Sequence, residues 1–507
     1  MNDLRSVRGI GDKRFADLLA PRHRVTPFPW GPAAALLAVV AGIFGGQAAG
    51  AGAAVGVLLL AAAVVAAGAL ATRAPAVRAA LLVASLGLLG VAVMQRALQG
   101  LEHSPLTAAV TREEDATVTV ALLDDPDASR FATRVLVRVD SRDGHDAGSR
   151  RVLVRASGDV AARLRILAAG EQATLRGWFG PLDGFDASWR WKHAVGAFHA
   201  TALSSAARTS TPVMRAANAV RDFVLRGTRG LSPVDRALLA GFLLGDTRGV
   251  PPSLTDDFRA SGLSHLTAVS GENVAFVLAL VAPVLRRLSL RGRLAGALAV
   301  LALFGTMTRW EPSVLRAVVM AAMALVAGFL GRPQHGVRIL VLAATVLLLV
   351  DPFLVHSVGF VLSCAASLGI TLLARPIAAR LPGPAWFREV LGVTAAAQLA
   401  VAPVIIPVFG AMPLVALPAN LVAVPLAAPL TGWGLFAGLV GGVAGRWAPG
   451  VPAVLAVPTT ALLHGLVTVA EVAAGVPLAI DGRAAWGIVA AGAAIAAMAR
   501  LRRARAI

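Results

Sequence analysis

The sequence predicts a polytopic α-helical membrane protein with one small extracellular β-barrel, OB-like in the number and length of its strands. Three observations carry that reading. Of 507 residues, 57% are hydrophobic and 15% charged, a balance too apolar for an ordinary soluble domain. Several near-uncharged runs reach the ~20 residues that cross a bilayer as a helix. One stretch, residues 99–210, departs from this pattern with dense charge and period-two alternation.

Taken in order, residues 1–30 carry Arg5, Arg8, Lys13, Arg14, Arg22 and Arg24 ahead of the first apolar run. That preamble is too long for a cleaved signal peptide and reads as a basic cytoplasmic N-terminus. Three transmembrane helices are expected within 31–98, over 31–49, 51–71 and 77–97, with Arg73 and Arg78 after the second. The positive-inside bias then places the N-terminus in the cytoplasm and residues 99–210 outside, in a multi-pass protein of the cell (inner, cytoplasmic) membrane. Within 99–210, strands are expected at Ala116–Leu123, Phe131–Asp140, Arg151–Ala156, Gln172–Trp178 and Ala197–Leu203, separated by turn-rich pieces such as Ser141-Arg-Asp-Gly-His. Five short strands in about 100 residues fit a small closed or partly open barrel. With 14 basic against 14 acidic residues, the domain lacks a strong electrostatic grip on a polyanion. Trp178, Trp189 and Trp191 lie beside Arg190 and Lys192, a composition that suits a base-stacking platform and equally a small barrel's core.

Residues 211–262 space Arg215, Arg221, Arg226, Arg229 and Arg236 among apolar residues, as amphipathic helices do when they lie at a membrane interface or pack on a bundle. Membrane-grade hydrophobicity then fills 263–500 with about nine spans: 264–284, 294–309, 313–331, 337–350, 353–374, 389–409, 431–445, 450–473 and 484–499. Loop arginines alternate correctly up to 409. After that the basic tail 501–507 would end outside if every later run spanned, so the Pro-rich stretch 410–430 (Pro413, Pro418, Pro425, Pro429) is expected to be a broken or re-entrant element. Such backbone survives at membrane depth only where protein buries it or a wet cavity meets it, which makes the stretch a candidate pathway wall.

The net charge of +19 comes almost wholly from arginine, since Lys13 and Lys192 are the only lysines, and membrane topology accounts for most of it. Polar residues concentrate where an apolar helix begins: Ser264, His265, Thr267, Ser270, Glu272 and Asn273. At such depth they are costly unless paired or wetted, so they are pathway candidates, with an interhelical hydrogen-bond cluster as the plainer reading. Glu311 and Arg316 stand at the entrance of the span 313–331, and Gln398 and Asn420 are lone polar groups in apolar runs. Asp246 and Arg248, in a Gly-Asp-Thr-Arg-Gly turn, could pair locally. No phosphate-binding Gly-x-x-x-x-Gly-Lys loop, His-Glu-x-x-His pair or Gly-x-Ser-x-Gly elbow occurs. No catalytic residue, metal or cofactor is therefore expected, and the chain does not read as an enzyme. The sole cysteine, Cys364, permits no intrachain disulfide.

Four strings, Gly245-Asp-Thr, Phe258-Arg-Ala-Ser-Gly-Leu-Ser-His-Leu-Thr-Ala-Val-Ser-Gly-Glu-Asn-Val274, Ser313-Val-Leu-Arg-Ala317 and Pro418-Ala-Asn-Leu-Val-Ala-Val-Pro425, resemble the ComEC family of inner-membrane DNA-uptake channels. The order of segments is similar too, over nearly all of 30–500. The resemblance implies passage of single-stranded DNA into the cytoplasm, an extracellular DNA receptor, a cytoplasmic motor or single-stranded-DNA-binding proteins to pull, and room for a homo-oligomer. Many family members continue into a metallo-β-lactamase-like domain; this sequence stops at Ile507, so the resemblance implies a separate nuclease. Glu272-Asn273 also departs from the family's usual pair. A transporter or exporter of small solutes, with the barrel as a structural cap, is the competing reading, and a scaffold for uptake machinery is a third.

Overall fold

Among the described residues of the computed structural model, eight helices are long and apolar enough to cross a membrane, and three shorter apolar helices accompany them. The structure describes residues 30–52, 54–128, 132–207, 211–332, 335–476 and 479–481. The basic N-terminal stretch (Trp30 apart), the expected span 484–499 and the tail 501–507 lie outside the described residues. Together with the barrel below, these helices make the chain a polytopic helical membrane protein with a small β-barrel domain.

Helices α1 (Trp30–Ala48), α2 (Val55–Ala71) and α3 (Pro75–Glu102) form the first membrane group. Their outer faces carry Leu and Val left bare by the rest of the protein, such as Leu70 at 78% exposure, as hydrocarbon requires of a helix that satisfies its own backbone. After a short helix α4 (Thr107–Thr111) the chain enters the barrel: β1 (Asp115–Leu122), β2 (Asp127–Ala128), β3 (Thr133–Arg142), β4 (His145–Ala156), helix α5 (Gly158–Arg165), β5 (Gln172–Gly180), a 3₁₀ segment Gly184–Lys192 and β6 (Ala194–Ala207). The sheet order β1-β5-β6-β4-β3 closes on itself through a β1–β3 pairing, and β2 adds a short rim strand to β3. Pairing is antiparallel except between β4 and β6, which run parallel. Alternation in β1 sends Ala116, Val118 and Val120 inward, where they meet Val137, Val152, Val154, Leu175, Phe179 and Phe198 in one core capped by Ala161 and Leu164 of α5.

Three helices follow the barrel: α6 (Pro212–Gly227), α7 (Pro233–Leu244) and α8 (Pro252–Ala260). Helices α6 and α8 each pack one side into the bundle, with Ala217 and Val224 of α6 and Leu254 and Phe258 of α8 buried, while Arg215, Arg226 and Arg259 stay exposed. Leu238 to Leu244 of α7 are all buried, because the apolar residues run around the whole helix and leave it no wet face. The remaining helices are α9 (Gly271–Leu285), α10 (Leu290–Met307), α11 (Pro312–Phe329), α12 (Gly336–Val350), α13 (Val358–Ala378), α14 (Ala385–Phe409), α15 (Ala416–Ala444) and α16 (Val451–Ala474).

The stretch 410–430 differs from the broken element expected of it. Strand β7 (Ala411–Pro413) pairs with β8 (Ala479–Asp481), and α15 then runs unbroken through Pro425 and Pro429. Those prolines stand four apart, on one helix face, so the missing amide donors cost only local bonds. The charge parity that argued for a break depended on the tail, outside the described residues.

Small residues set how closely α6 crosses α15. A Cβ on Gly227 would lie 1.8 Å from the Gly438 carbonyl oxygen, and one on Gly441 2.4 Å from the Gly227 carbonyl oxygen. Close backbone approach of this kind is a common source of helix association where lipid supplies no hydrophobic drive. Gly227→Val is expected to force the helices apart and lower the thermal midpoint of the detergent-solubilised protein by roughly 3–10 °C. An unchanged midpoint would show the contact to be dispensable.

Candidate functional site

Helix α8 ends at Ser261, and Gly262, in the left-handed region (φ +73), turns the chain into an irregular loop before α9. Buried Leu263 and Val269 anchor that loop, leaving Ser264 and His265 exposed. The His265 Nδ1 lies 3.2 Å from the Gly262 carbonyl oxygen. Ser270 caps α9: its Oγ accepts from the Glu272 amide and donates to Asn273 Oδ1. Asn273 is buried and donates to the Phe242 carbonyl at 2.7 Å, joining α9 to α7. Ser270 and Asn273 thus hold the loop in place. Glu272 is exposed in the first turn, where a carboxylate suits the helix dipole.

Arg316, one turn into α11, is 8% exposed. Its Nε donates to Ser363 Oγ of α13 at 2.8 Å and its Nη1 lies 3.0 Å from Met320 Sδ. No carboxylate among the described residues comes within ion-pair reach of it. Its other amine approaches the start of α9, 3.3 Å from where a Gly271 Cβ would sit, so a side chain there would press on the guanidinium. A buried cation is therefore placed beside the positive end of a helix dipole, an arrangement that repels unless an anion joins it. Ser313, on the same helix, donates to the Val269 carbonyl at 2.8 Å and fixes the loop over this point.

A second polar centre joins the barrel to the bundle. Asp125, in the β1–β2 turn, receives two bonds from Arg309 in the α10–α11 turn (3.2 and 3.0 Å) and lies 2.8 Å from Arg221 of α6. Arg221 also meets Asp246 at 2.7 Å, and Arg248 grips Asp246 through two bonds of 2.8 Å. Arg309 donates to Asn218 of α6, whose amide donates to the Ala169 carbonyl of the barrel; Arg248 donates to the Leu167 carbonyl. Burial alone would raise both carboxyls, but the Arg248 hydrogen bonds and Arg221 charge hold Asp246 well below the usual range, and Arg221, Arg309 and Arg248 do the same for Asp125. Gly245, at φ +74, turns the chain so that Asp246 faces inward. Glu311, half-buried beside this joint, is pushed up to about 7, first by burial and then by the nearby Asp124 carboxylate. It carries only part of a negative charge at neutral pH.

The tryptophans separate. Trp178 stacks on His199 (centroids 3.8 Å apart) on the barrel wall, whereas Trp191 stacks on His356 (3.9 Å) and meets Phe353 edge-on. His193 Nε2, 3.1 Å from Asp351 Oδ1, adds to that second contact between barrel and bundle. Trp189 is half-buried under the Lys192 ammonium at 4.1 Å, and Arg190 lies over Trp191 at 4.9 Å. Of the five residues singled out in the barrel, Arg190 and Lys192 are exposed and lie beside the half-buried Trp189. Gln398 and Asn420 stand apart from the loop; each has a buried amide oxygen without a hydrogen-bond partner among the described residues. Sequence reasoning passed over Asp125, Arg309 and Ser363, and read Arg221 only as one of the arginines of an amphipathic stretch. Asp246 and Arg248 were visible as a pair, but nothing in the sequence signalled their partners.

The family described as Competence protein has a model that matches residues 242–505. The chain is 29% identical over 216 residues to the uncharacterized protein YcaI of Escherichia coli (strain K12), covering 38% of this chain and 28% of that protein. It is 26% identical over 209 residues to ComE operon protein 3 of Bacillus subtilis (strain 168), covering 41% of this chain and 26% of that protein. The chain thus spans about a quarter of the length of these curated relatives. No solved structure matches it at a significant level.

Both joint carboxyls titrate below their unfolded values near 4, so their stabilisation is full above about pH 4 and is lost as the pH falls through the depressed folded values. Asp125→Asn leaves Arg221 and Arg309 buried with one counter-charge fewer and is expected to cost about 3–5 kcal/mol. Thermal melts of the purified protein between pH 3 and 7 check this. A variant that melts like wild type at pH 7 would remove the joint from any account of stability.

Proposed function

The chain belongs to the Competence protein family, and from that premise we propose that it forms the channel through which single-stranded DNA crosses the cell membrane into the cytoplasm. The observation that carries the reading is Arg316, a buried guanidinium without a carboxylate, aimed at the amino end of α9. Each phosphate entering ~30 Å of hydrocarbon loses its hydration and needs compensation that ignores base sequence. A cation and a helix amino end meeting at one point supply that compensation to a passing phosphate and to no particular base. Ser264 and His265, exposed on the loop ahead of it, add hydrogen-bonding groups. Glu311, held partly protonated, does not oppose a polyanion with a full charge.

In this reading the barrel stands outside the membrane and the N-terminus inside. Trp189 with Arg190 and Lys192 offers the strand a first stacking surface. The phosphate contacts bind and release, and the energy for net movement comes from proteins that receive the DNA outside and pull it inside.

The test is uptake of labelled DNA in a naturally transformable host whose own chromosomal copy is deleted. Wild type is expected to restore internalised DNA, Arg316→Ala to lower it about tenfold or more at equal membrane expression, and Arg316→Lys to recover part of the loss, since one charge-assisted hydrogen bond contributes about 1.5–3 kcal/mol. His265→Ala and Trp189→Ala are expected to give smaller losses. Unchanged internalised DNA in the deletion strain would sink the proposal and leave small-solute transport as the reading to pursue.

A further inference from the structure

The short connection between α9 and α10 carries Arg286 and Arg287 and the first turn of α10 carries Arg291 and Arg293, all exposed, and among the described residues none of the four makes an ion pair. At 15 residues, α9 rises only about 22 Å, short of the ~30 Å hydrocarbon thickness. Its neighbours α10 and α11 have 18 residues each. A groove of about 580 Å³ lies where the end of α9, the start of α10 and the end of α11 meet. Leu278, Ala282, Leu294 and Leu325 line its walls, and Gly328 leaves open space where a side chain would stand. Arg286 and Arg293 are the polar residues of that lining. They sit together, because the Arg293 guanidinium donates to the Arg286 carbonyl at 3.4 Å. Leu290 and Phe329 beside them are exposed, so the groove opens sideways to lipid. It lies at the opposite end of α11 from Arg309 and the barrel joint.

We propose that this groove binds an anionic phospholipid, with an acyl chain along the leucine-lined wall and the phosphate between Arg286 and Arg293. An apolar slot between membrane helices that ends in paired basic residues suits a lipid headgroup and chain together. A nucleic-acid strand, which buries phosphate and base edges, would leave the eleven apolar or glycine residues of this lining without a partner. Arginine forks also match a phosphate's oxygens better than a zwitterionic headgroup, whose own cation competes for them. The lipid belongs to the leaflet away from the barrel, and it fills the groove.

The experiment uses the full chain in detergent, titrated with phosphatidylglycerol or phosphatidylcholine of identical acyl chains and read by native mass spectrometry and thermal shift. Wild type is expected to bind phosphatidylglycerol about tenfold or more tightly than phosphatidylcholine. The double variant R286Q/R293Q is expected to lose that preference, whereas R287Q/R291Q, with the same change in net charge, keeps it. Gly328→Leu is expected to weaken binding with all four arginines in place. Equal loss in both double variants would reduce the effect to general surface charge and overturn the site. Binding unaffected by Gly328→Leu would also overturn it, as would displacement of bound lipid by a single-stranded oligonucleotide.

Discussion

The buried joint of Asp125, Asp246, Arg221, Arg248 and Arg309 is the constraint on which the rest of the arrangement depends. It draws members from the barrel, α6, the α7–α8 turn and the α10–α11 turn, so four elements that are distant in sequence share one electrostatic minimum. Buried ion pairs seldom add much net stability, because desolvation offsets the attraction, but they penalise every arrangement that separates them. The joint therefore selects one placement of the barrel over the bundle. Three guanidiniums against two carboxylates also leave the centre with a surplus positive charge. Glu311 and Asp124 stand close enough to feel it and each other.

The loop at Arg316 depends on that placement. The α10–α11 turn supplies Arg309 to the joint, and α11 begins immediately afterwards with Glu311, Ser313 and Arg316. Arg309 and Trp310 both take left-handed backbone (φ +57 and +54), a strained geometry for residues with side chains. The surrounding contacts enforce it and set the rotation of α11. That rotation in turn aims Arg316 at α9 instead of at lipid.

Local pattern made much of this legible in advance. Alternating valines gave away the barrel strands, and near-uncharged runs gave away the spans. Strand β4 begins six residues before the expected Arg151 because Asp143 and Gly144, both at positive φ, form a tight hairpin that carries the ladder on from Arg142 to His145. Its polar outer end shows no hydrophobic alternation to read. Arg309 and Asp125, 184 residues apart, could not be paired from the sequence, since no period links them. Trp191 looked like a stacking surface by composition, but its ring is covered by His356, a residue 165 positions further along the chain. The loop of Ser264 and His265 was evident as a density of polar residues. The bare state of Arg316 was not, because the absence of a counter-charge is a property of the fold.

The path from barrel to membrane has a mechanical consequence. Strand β6 is followed in the chain by α6, which holds the barrel through Asn218 and Arg221 at one end and is wedged against α15 through Gly227 at the other. These two attachments lie ten or fewer residues apart on a single helix, about 15 Å or less along its axis. A pull on anything bound to the barrel would therefore be delivered through α6 as torque on α15, with little slack to absorb it. The helix is a short stiff crank, and tension on the barrel would reach the membrane helices directly.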